Sequence, residues 1–487
     1  MKKIKIIISA VFILVMIMFF SCAVNPVTGE KQFMLMTERQ EIELGAGYDP
    51  QVVSSFGEYA DDDMLAFISS RGAAMGKISH RPGLEYHFKI LDSPVINAFA
   101  VPGGYIYFTR GILAQLNNEA ELIGIMGHEM GHVTARHSAS QQSKQQLGQV
   151  LLIGGMMASE KFARYGQYAM QGMQLLFLKF SRDDERQADK LGVEYSSRIG
   201  YDAREMAEFF QVLNKMNMTS DQAGVPTFLS THPDPGDRYN SVKRMAAEWQ
   251  DSLKQPEWKV NRNSYLKMID GMIYGEDPRQ GYTEGNIFYH PGMKFKFSYP
   301  EGWQFENSPM QVAMAPKDGK AMMIFTLSKQ TTPDDASRVA VEEMGLTLQE
   351  SRSATVNGLP ALFVTSKKVS KDESSGQQQE NNIISCHVSY DNRVYTFHGV
   401  AGAADFQAFL PRFESTMTSF GKLSDPSKIN VKPRRLIVKT VQKAGSLSSV
   451  LASLGVQQAH MTELALLNNM ELTDNLKTGE LVKIVGE

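Results

Sequence analysis

Cysteine is nearly absent from this chain: Cys22 and Cys386 are the only two in 487 residues. No disulfide framework can hold the fold together, and if Cys22 is modified no intramolecular disulfide is possible at all. An excess of one charge is lacking too. The net charge is −3 with 21% charged residues, so the whole-chain balance points neither to nucleic acid nor to an acidic partner. The apolar run from Ile6 to Phe20 has 15 residues, short of the roughly 20 that a spanning helix needs. Methionine, by contrast, is plentiful at 28 residues; scattered as it is, it reads as adaptable core filler.

Residues 1–22 read as an export signal. Lys2, Lys3 and Lys5 form a positive n-region ahead of the apolar run, which ends at Phe19-Phe20-Ser21-Cys22. A small residue before a cysteine resembles a bacterial lipoprotein cleavage site, although Phe19 stands where such sites usually carry Leu. Lipidation of Cys22 is the reading adopted, with a plain signal peptide or an uncleaved anchor as alternatives.

A chain of this length needs several cores, and the pattern predicts an α+β multidomain protein. Residues 23–280 read as mainly helical, interrupted at 84–111 by strand, loop and hairpin signals around Pro94 and Pro102-Gly103-Gly104. A long helix follows, from about Asn118 to Ser138. The stretch 140–173, with LLIGGMM at its centre, reads as a helical lid over a cleft or a surface helix pair. From 285 to 421 short aromatic strands dominate, with a hairpin turning at Asp391-Asn392 and a closing helix near 403–420. Residues 371–382 are polar and read as a disordered loop. A linker at 422–434 leads to a βααβ unit at 435–487.

The chemistry lies in HEMGH at 128–132. Histidines at i and i+4 on a helix share a face and can bind one Zn²⁺ through imidazole nitrogens. Glu129, one residue along, is badly placed as a ligand but suits a general base that takes a proton from attacking water. Gly127 and Gly131 permit close backbone approach, as a buried active-site helix requires. A catalytic zinc wants a third protein ligand, and SRDDERQAD at 181–189 offers Glu185. Asp189, four residues on and on the same face, would orient a ligand histidine through its other ring nitrogen. Asp183, Asp184, Arg186 and Lys190 read as a solvated face. His137, five residues past His132, is expected at the surface and off the metal-binding face.

NPVTGEKQFMLMTERQEIELG (25–45), NAFAVPGGYIYFTRGIL (97–113), NEAELIGIMGHEMGHVTARH (118–137) and SRDDERQAD together resemble the HtpX and CaaX-prenyl-protease type of zinc metallopeptidase, in its exported lipoprotein branch of Gram-negative bacteria. The resemblance implies a gluzincin fold with one zinc on His128, His132 and Glu185, Glu129 as base and Asp189 behind a ligand. It also implies an edge strand within 97–107 (Asn97, Ala98, Phe99, Gly103, Gly104 and Tyr105) on which an extended substrate pairs. STHPDPGDR at 230–238 completes the pattern. His232 or Arg238 could donate to the oxyanion, His232 could instead be a fourth ligand in a resting state, or the segment could be a plain turn. Residues 286–421 resemble the photosystem-II P-protein and Mog1-like domains. Residues 435–487 resemble a LysM module, but Ser446 stands where an acidic residue is usual, so contact with peptidoglycan or with protein both remain open.

The function expected is a zinc endopeptidase on the periplasmic side of a Gram-negative membrane, outer membrane by preference, held by its lipid and acting on unfolded or misassembled envelope proteins. A chaperone or assembly factor that uses the zinc fold for binding, and a peptidoglycan-directed hydrolase, are the alternatives.

Overall fold

The computed structural model describes residues 22–144, 180–219, 227–233, 237–371 and 378–487. Residues 1–21, most of the stretch read as a lid, and 234–236 of the His232 segment lie outside the described residues. Two compact units emerge, one of residues 1–276 with 434–487 and one of residues 277–433. Helices and several sheets make both together an α+β chain.

The first unit starts with the hairpin β1 (Cys22–Val24) and β2 (Lys31–Phe33) and helix α1 (Glu38–Phe56), opened by a Thr37–Gln40 capping box. Helix α2 (Asp62–Ile78) precedes a sheet of β3 (His87–Leu91), β4 (Ala98–Val101) and β5 (Tyr105–Thr109). In the order β3-β5-β4, β5 is central, parallel to β3 and antiparallel to β4, and β4 is an edge. Gly104 must be glycine here: its φ is +96° and a Cβ would lie 2.3 Å from the Glu85 carbonyl oxygen. Short helix α3 (Arg110–Gln115) leads to α4 (Glu119–Thr134), every residue of which is buried. Asn118 caps α4 through its side chain, and Glu119 and Glu121 in its first turn suit the positive end of the helix dipole.

Helix α5 (Arg182–Arg198) packs directly on α4. Backbone meets backbone at this crossing. A Cβ on Gly127 would fall 2.9 Å from the Gly192 carbonyl oxygen, one on Gly131 3.1 Å from Ala188 Cα, and one on Gly192 2.9 Å from the His128 nitrogen. Helices α6 (Glu205–Thr219), α7 (Thr227–Thr231), α8 (Arg238–Leu253) and α9 (Arg262–Met268) complete this part.

The second unit holds a seven-stranded antiparallel sheet whose long members are β-strands at Thr347–Val356, Leu359–Lys371, Gln378–Tyr390 and Arg393–Gly402. The hairpin turn falls at Asp391-Asn392, with φ of 52° and 57°, the paired positive values a tight two-residue turn demands. Of the residues read as a polar loop, Lys371 and 378–382 lie in these strands, and 372–377 lie outside the described residues. The helix Phe406–Ser419 covers one sheet face over a phenylalanine-rich core, including Phe295, Phe297, Phe397 and Phe413. The helix Pro333–Glu343 packs against three of the long strands, whose buried side chains include Ser366, Ser385, His387 and Thr396.

Residues 434–487 return to the first unit. Strands Arg435–Thr440 and Leu481–Gly486 pair antiparallel around helices Leu447–Ser453 and Gln458–Leu467, the βααβ order read from the sequence. This stretch is tied to the loop ahead of α4. Lys483 is wholly buried, and its Nζ donates to the carbonyls of Ala114, Gln115 and Leu116 at 2.9, 3.1 and 2.9 Å. A cation at the C-terminal end of α3 faces the negative end of that helix dipole. Burial pushes its pKa well below the ordinary lysine range, an effect opposed by the carboxylate of Glu121.

Lys483→Met should lower the stability of the first unit by about 3 kcal/mol, because three buried carbonyls lose their donor. Chemical denaturation of the full chain measures it, and a change within about 0.5 kcal/mol would contradict the anchoring role.

Acid should weaken the second unit. Burial lowers His387 from 6.5 to about 3 and His290 and His398 to about 4. The folded state keeps these rings neutral while the unfolded chain protonates them. Their contribution is therefore intact above pH 6.5 and lost as the pH falls from there toward 4. Denaturation followed through Trp303, with Trp249 and Trp258 replaced by Phe, should show a midpoint falling over that window. His387→Asn should flatten the fall.

Candidate metal centre

The close α4–α5 crossing brings two ligand-bearing faces together. His128 and His132 sit one turn apart on α4, and Glu185 faces them from the first turn of α5; all three are buried. His232, just past α7, completes a group whose ligand atoms all lie within 4.8 Å of one another. His128 Nε2 is 3.1 Å from His132 Nε2 and 3.2 Å from His232 Nδ1. Glu185 Oε1 is 3.0 Å from His232 Nδ1 and 3.4 Å from His132 Nε2, and its Oε2 is 3.5 Å from His128 Nε2. Four ligands about 2.0–2.1 Å from one ion, tetrahedrally disposed, would stand about 3.3 Å apart.

The hydrogen bonds on the far side of each ring explain why the near atoms need a cation. His128 Nδ1 lies 3.0 Å from Asp189 Oδ1 and His132 Nδ1 lies 2.9 Å from His137 Nδ1. With a proton on each Nδ1, both Nε2 atoms turn lone pairs toward each other at 3.1 Å. That arrangement is repulsive unless a positive charge lies between them. Burial also holds His132 well below the ordinary histidine range, hence neutral. Burial would raise Glu185, but His232 and His132 beside it outweigh that and keep its carboxylate well below the usual value. The donor set thus fits a metal ion.

Glu129 is wholly buried beside the ligands, and neither of its oxygens makes a hydrogen bond among the described residues. Burial raises its pKa, partly offset by His232 and His128. His232 Nε2 stands 3.6 Å from Glu129 Oε1. Burial would lower the His232 pKa, but the Glu185 and Glu129 carboxylates outweigh it and raise it. A carboxylate with unused acceptor capacity in a dry site is equipped to take a proton.

Arg238 sits behind the ligands. Its Nε and Nη2 grip Asp189 at 2.8 and 2.6 Å, its Nη2 lies 3.2 Å from Glu185 Oε2, and its guanidinium stacks 3.7 Å over Phe210. Those contacts fix Asp189, which in turn fixes His128. The segment carrying His232 closes over the site: Phe228 stacks on the His232 ring at 4.4 Å, and its backbone N–H donates to the Ile96 carbonyl.

Two expectations are corrected. Of the residues assigned to an edge strand, Asn97 leads into β4 and Ala98 and Phe99 lie on it, but Gly103 and Gly104 form the turn. Tyr105 opens the central strand β5, paired with both His87 and Val101, so its backbone is already engaged. His137 is not at the surface. It is 4% exposed and bonded to a ligand histidine, because α4 ends at Thr134 and Arg136 takes a φ of 60°. Extending the helical wheel past that break misplaces it. Cys22 lies in β1, paired with Phe33. No helix among the described residues is long and apolar enough to cross a membrane.

Residues 65–246 match Peptidase family M48. The chain is 28% identical over 251 residues to the beta-barrel assembly-enhancing protease of Yersinia pestis, covering 49% of this chain and 50% of that one. It is 26% identical over 251 residues to the mitochondrial metalloendopeptidase OMA1 of Bos taurus, covering 47% and 46%. It spans about half the length of these relatives. Among solved structures, cyanobacterial PsbP from Synechocystis sp. PCC 6803 aligns at 10% identity and a TM-score of 0.22, over 29% of this chain and 94% of that one. The paired histidines, the facing glutamate and the unbonded Glu129 all fall within the residues that match Peptidase family M48.

Proposed function

We propose that the protein is a zinc-dependent endopeptidase of the bacterial cell envelope that cuts unfolded or misassembled envelope proteins. The observation that carries this reading is the coincidence, in one buried centre, of four converging donor atoms and an unbonded general base. His128, His132 and Glu185 would hold the zinc. When bound, zinc supplies a Lewis acid that polarises the scissile carbonyl and makes a nearby water more acidic. Glu129 takes the proton of the attacking water and delivers it to the leaving amine.

The free edge of β4 supports an extended substrate. Among the described residues its backbone pairs with β5 on one side only, and a peptide can add along the other. Only a chain whose backbone is not already in a sheet or helix can do so, which favours unfolded segments. The Yersinia relative's name supports an envelope setting, and the sequence pattern around Cys22 supports a lipid anchor there, at the outer membrane.

His232 acts as a fourth ligand in the resting enzyme. Its Nδ1 lies as near His128 and Glu185 as the other donors lie to one another. The same segment holds the Ile96 carbonyl next to the edge strand, so one movement would free both a metal position and the backbone that substrate uses.

Metal analysis and proteolysis of an unfolded protein test this together. His128→Ala and Glu185→Ala should lose zinc, while Glu129→Gln should keep it and lose roughly 100-fold or more in turnover. His232→Ala should raise basal proteolysis or self-cleavage. A fall of about 100-fold with zinc retained would instead make His232 an oxyanion donor. Near-normal turnover in Glu129→Gln would overturn Glu129 as the base, and no turnover by the zinc-loaded wild type would leave the chain a binding or assembly factor.

A further inference from the structure

We infer that His137 is a positioning residue for the metal centre: it fixes the tautomer and orientation of His132 through a relay that ends on Gln187 and Asp184. The inference rests on the zinc reading above and extends it to a residue that touches no metal.

The relay follows from which atoms can accept. His137 Nε2 stands 2.9 Å from Gln187 Oε1 and 3.6 Å from Asp184 Oδ1. Both neighbours are oxygen acceptors, so Nε2 carries the ring proton. His137 Nδ1 is then a lone pair, and at 2.9 Å it accepts from His132 Nδ1. That leaves His132 Nε2 unprotonated and turned toward Glu185 and His128. Phe180 stacks on the His132 ring at 4.0 Å and allows it little room to swing.

The backbone is built to bring His137 back. Arg136, at φ 60°, breaks the helix just after α4. It is held there by Glu41 Oε2 at 2.7 Å and the Met36 carbonyl at 3.1 Å. Glu41 is itself buried and shared with Arg81 at 2.9 Å, whose guanidinium also reaches the Val133 carbonyl. The 25–45 motif, which the hydrolytic reading leaves without a task, thereby acquires one: it clamps the turn that presents His137.

The two ligand histidines are supported unequally. His128 leans on the carboxylate of Asp189, whereas His132 leans on a neutral ring. Outer partners of this kind are worth about 10- to 100-fold in metal affinity.

The test is zinc affinity of the full-length protein, by competition with a chelator, alongside melting of the metal-free chain. His137→Leu keeps the volume and removes the acceptor; His137→Asn keeps an amide oxygen near the Nδ1 position. Affinity should fall about 10-fold or more in the Leu variant and stay within about threefold of wild type in the Asn variant. Equal affinities in the two variants, whether both normal or both reduced, would overturn the relay and leave a packing role. Should His137→Leu fail to fold, the half-buried Gln187 decides. Gln187→Lys, which places a donor opposite Nε2, should weaken zinc several-fold while Gln187→Glu does not, and identical affinities would overturn the inference. Failure of wild type to bind zinc would instead refute the metal reading itself.

Discussion

Everything chemical in this molecule depends on two helices touching through their backbones. Gly127 and Gly131 on one face Ala188 and Gly192 on the other, and no larger residue fits at Gly127 or Gly192 without pushing the helices apart. The closeness costs side-chain packing but sets Glu185 across from His128 and His132 at contacts of 3.4–3.5 Å. A carboxylate one methylene farther away could not share an ion with both rings.

The buried helix that carries the ligands is restrained by charge at both ends. At its start, Asn118 caps the helix, and Glu121 accepts from the Asn117 backbone near the buried ammonium of Lys483. Burial raises Glu121 to about 8, which the Asn117 bond and Lys483 oppose. At its end, Glu41 bridges Arg81 and Arg136. The first restraint comes from the last strand of the chain and the second from its first long helix. Residues more than 300 positions apart thus hold one element still. Buried ion pairs are weak contributors to net stability but costly to break, which suits parts whose task is to fix position.

The centre was legible in the sequence because it obeys local rules. The i, i+4 spacing puts His128 with His132, the same spacing on α5 pairs Glu185 with Asp189, and a two-residue turn at Asp391-Asn392 needs no tertiary context. The βααβ order of 435–487 was equally readable. What escaped was non-local or depended on a break in a pattern. His137 was placed by carrying the helix forward past Thr134, and Arg136 gives no sequence sign of its left-handed backbone. Lys483 looks like any strand lysine until the three carbonyls it meets, from residues 114–116, are brought to it. The assignment of Tyr105 failed because a hairpin places its two strands differently, and only pairing distinguishes centre from edge.

The proposed zinc centre has His128, His132, Glu185 and His232 sharing one ion. X-ray absorption at the zinc edge of the purified full-length chain, loaded with one equivalent, tests it most directly. A shared ion should show a nearest shell of nitrogen and oxygen at about 2.0–2.1 Å with outer scattering from three imidazole rings. A shell of about six oxygens with no imidazole scattering would contradict it.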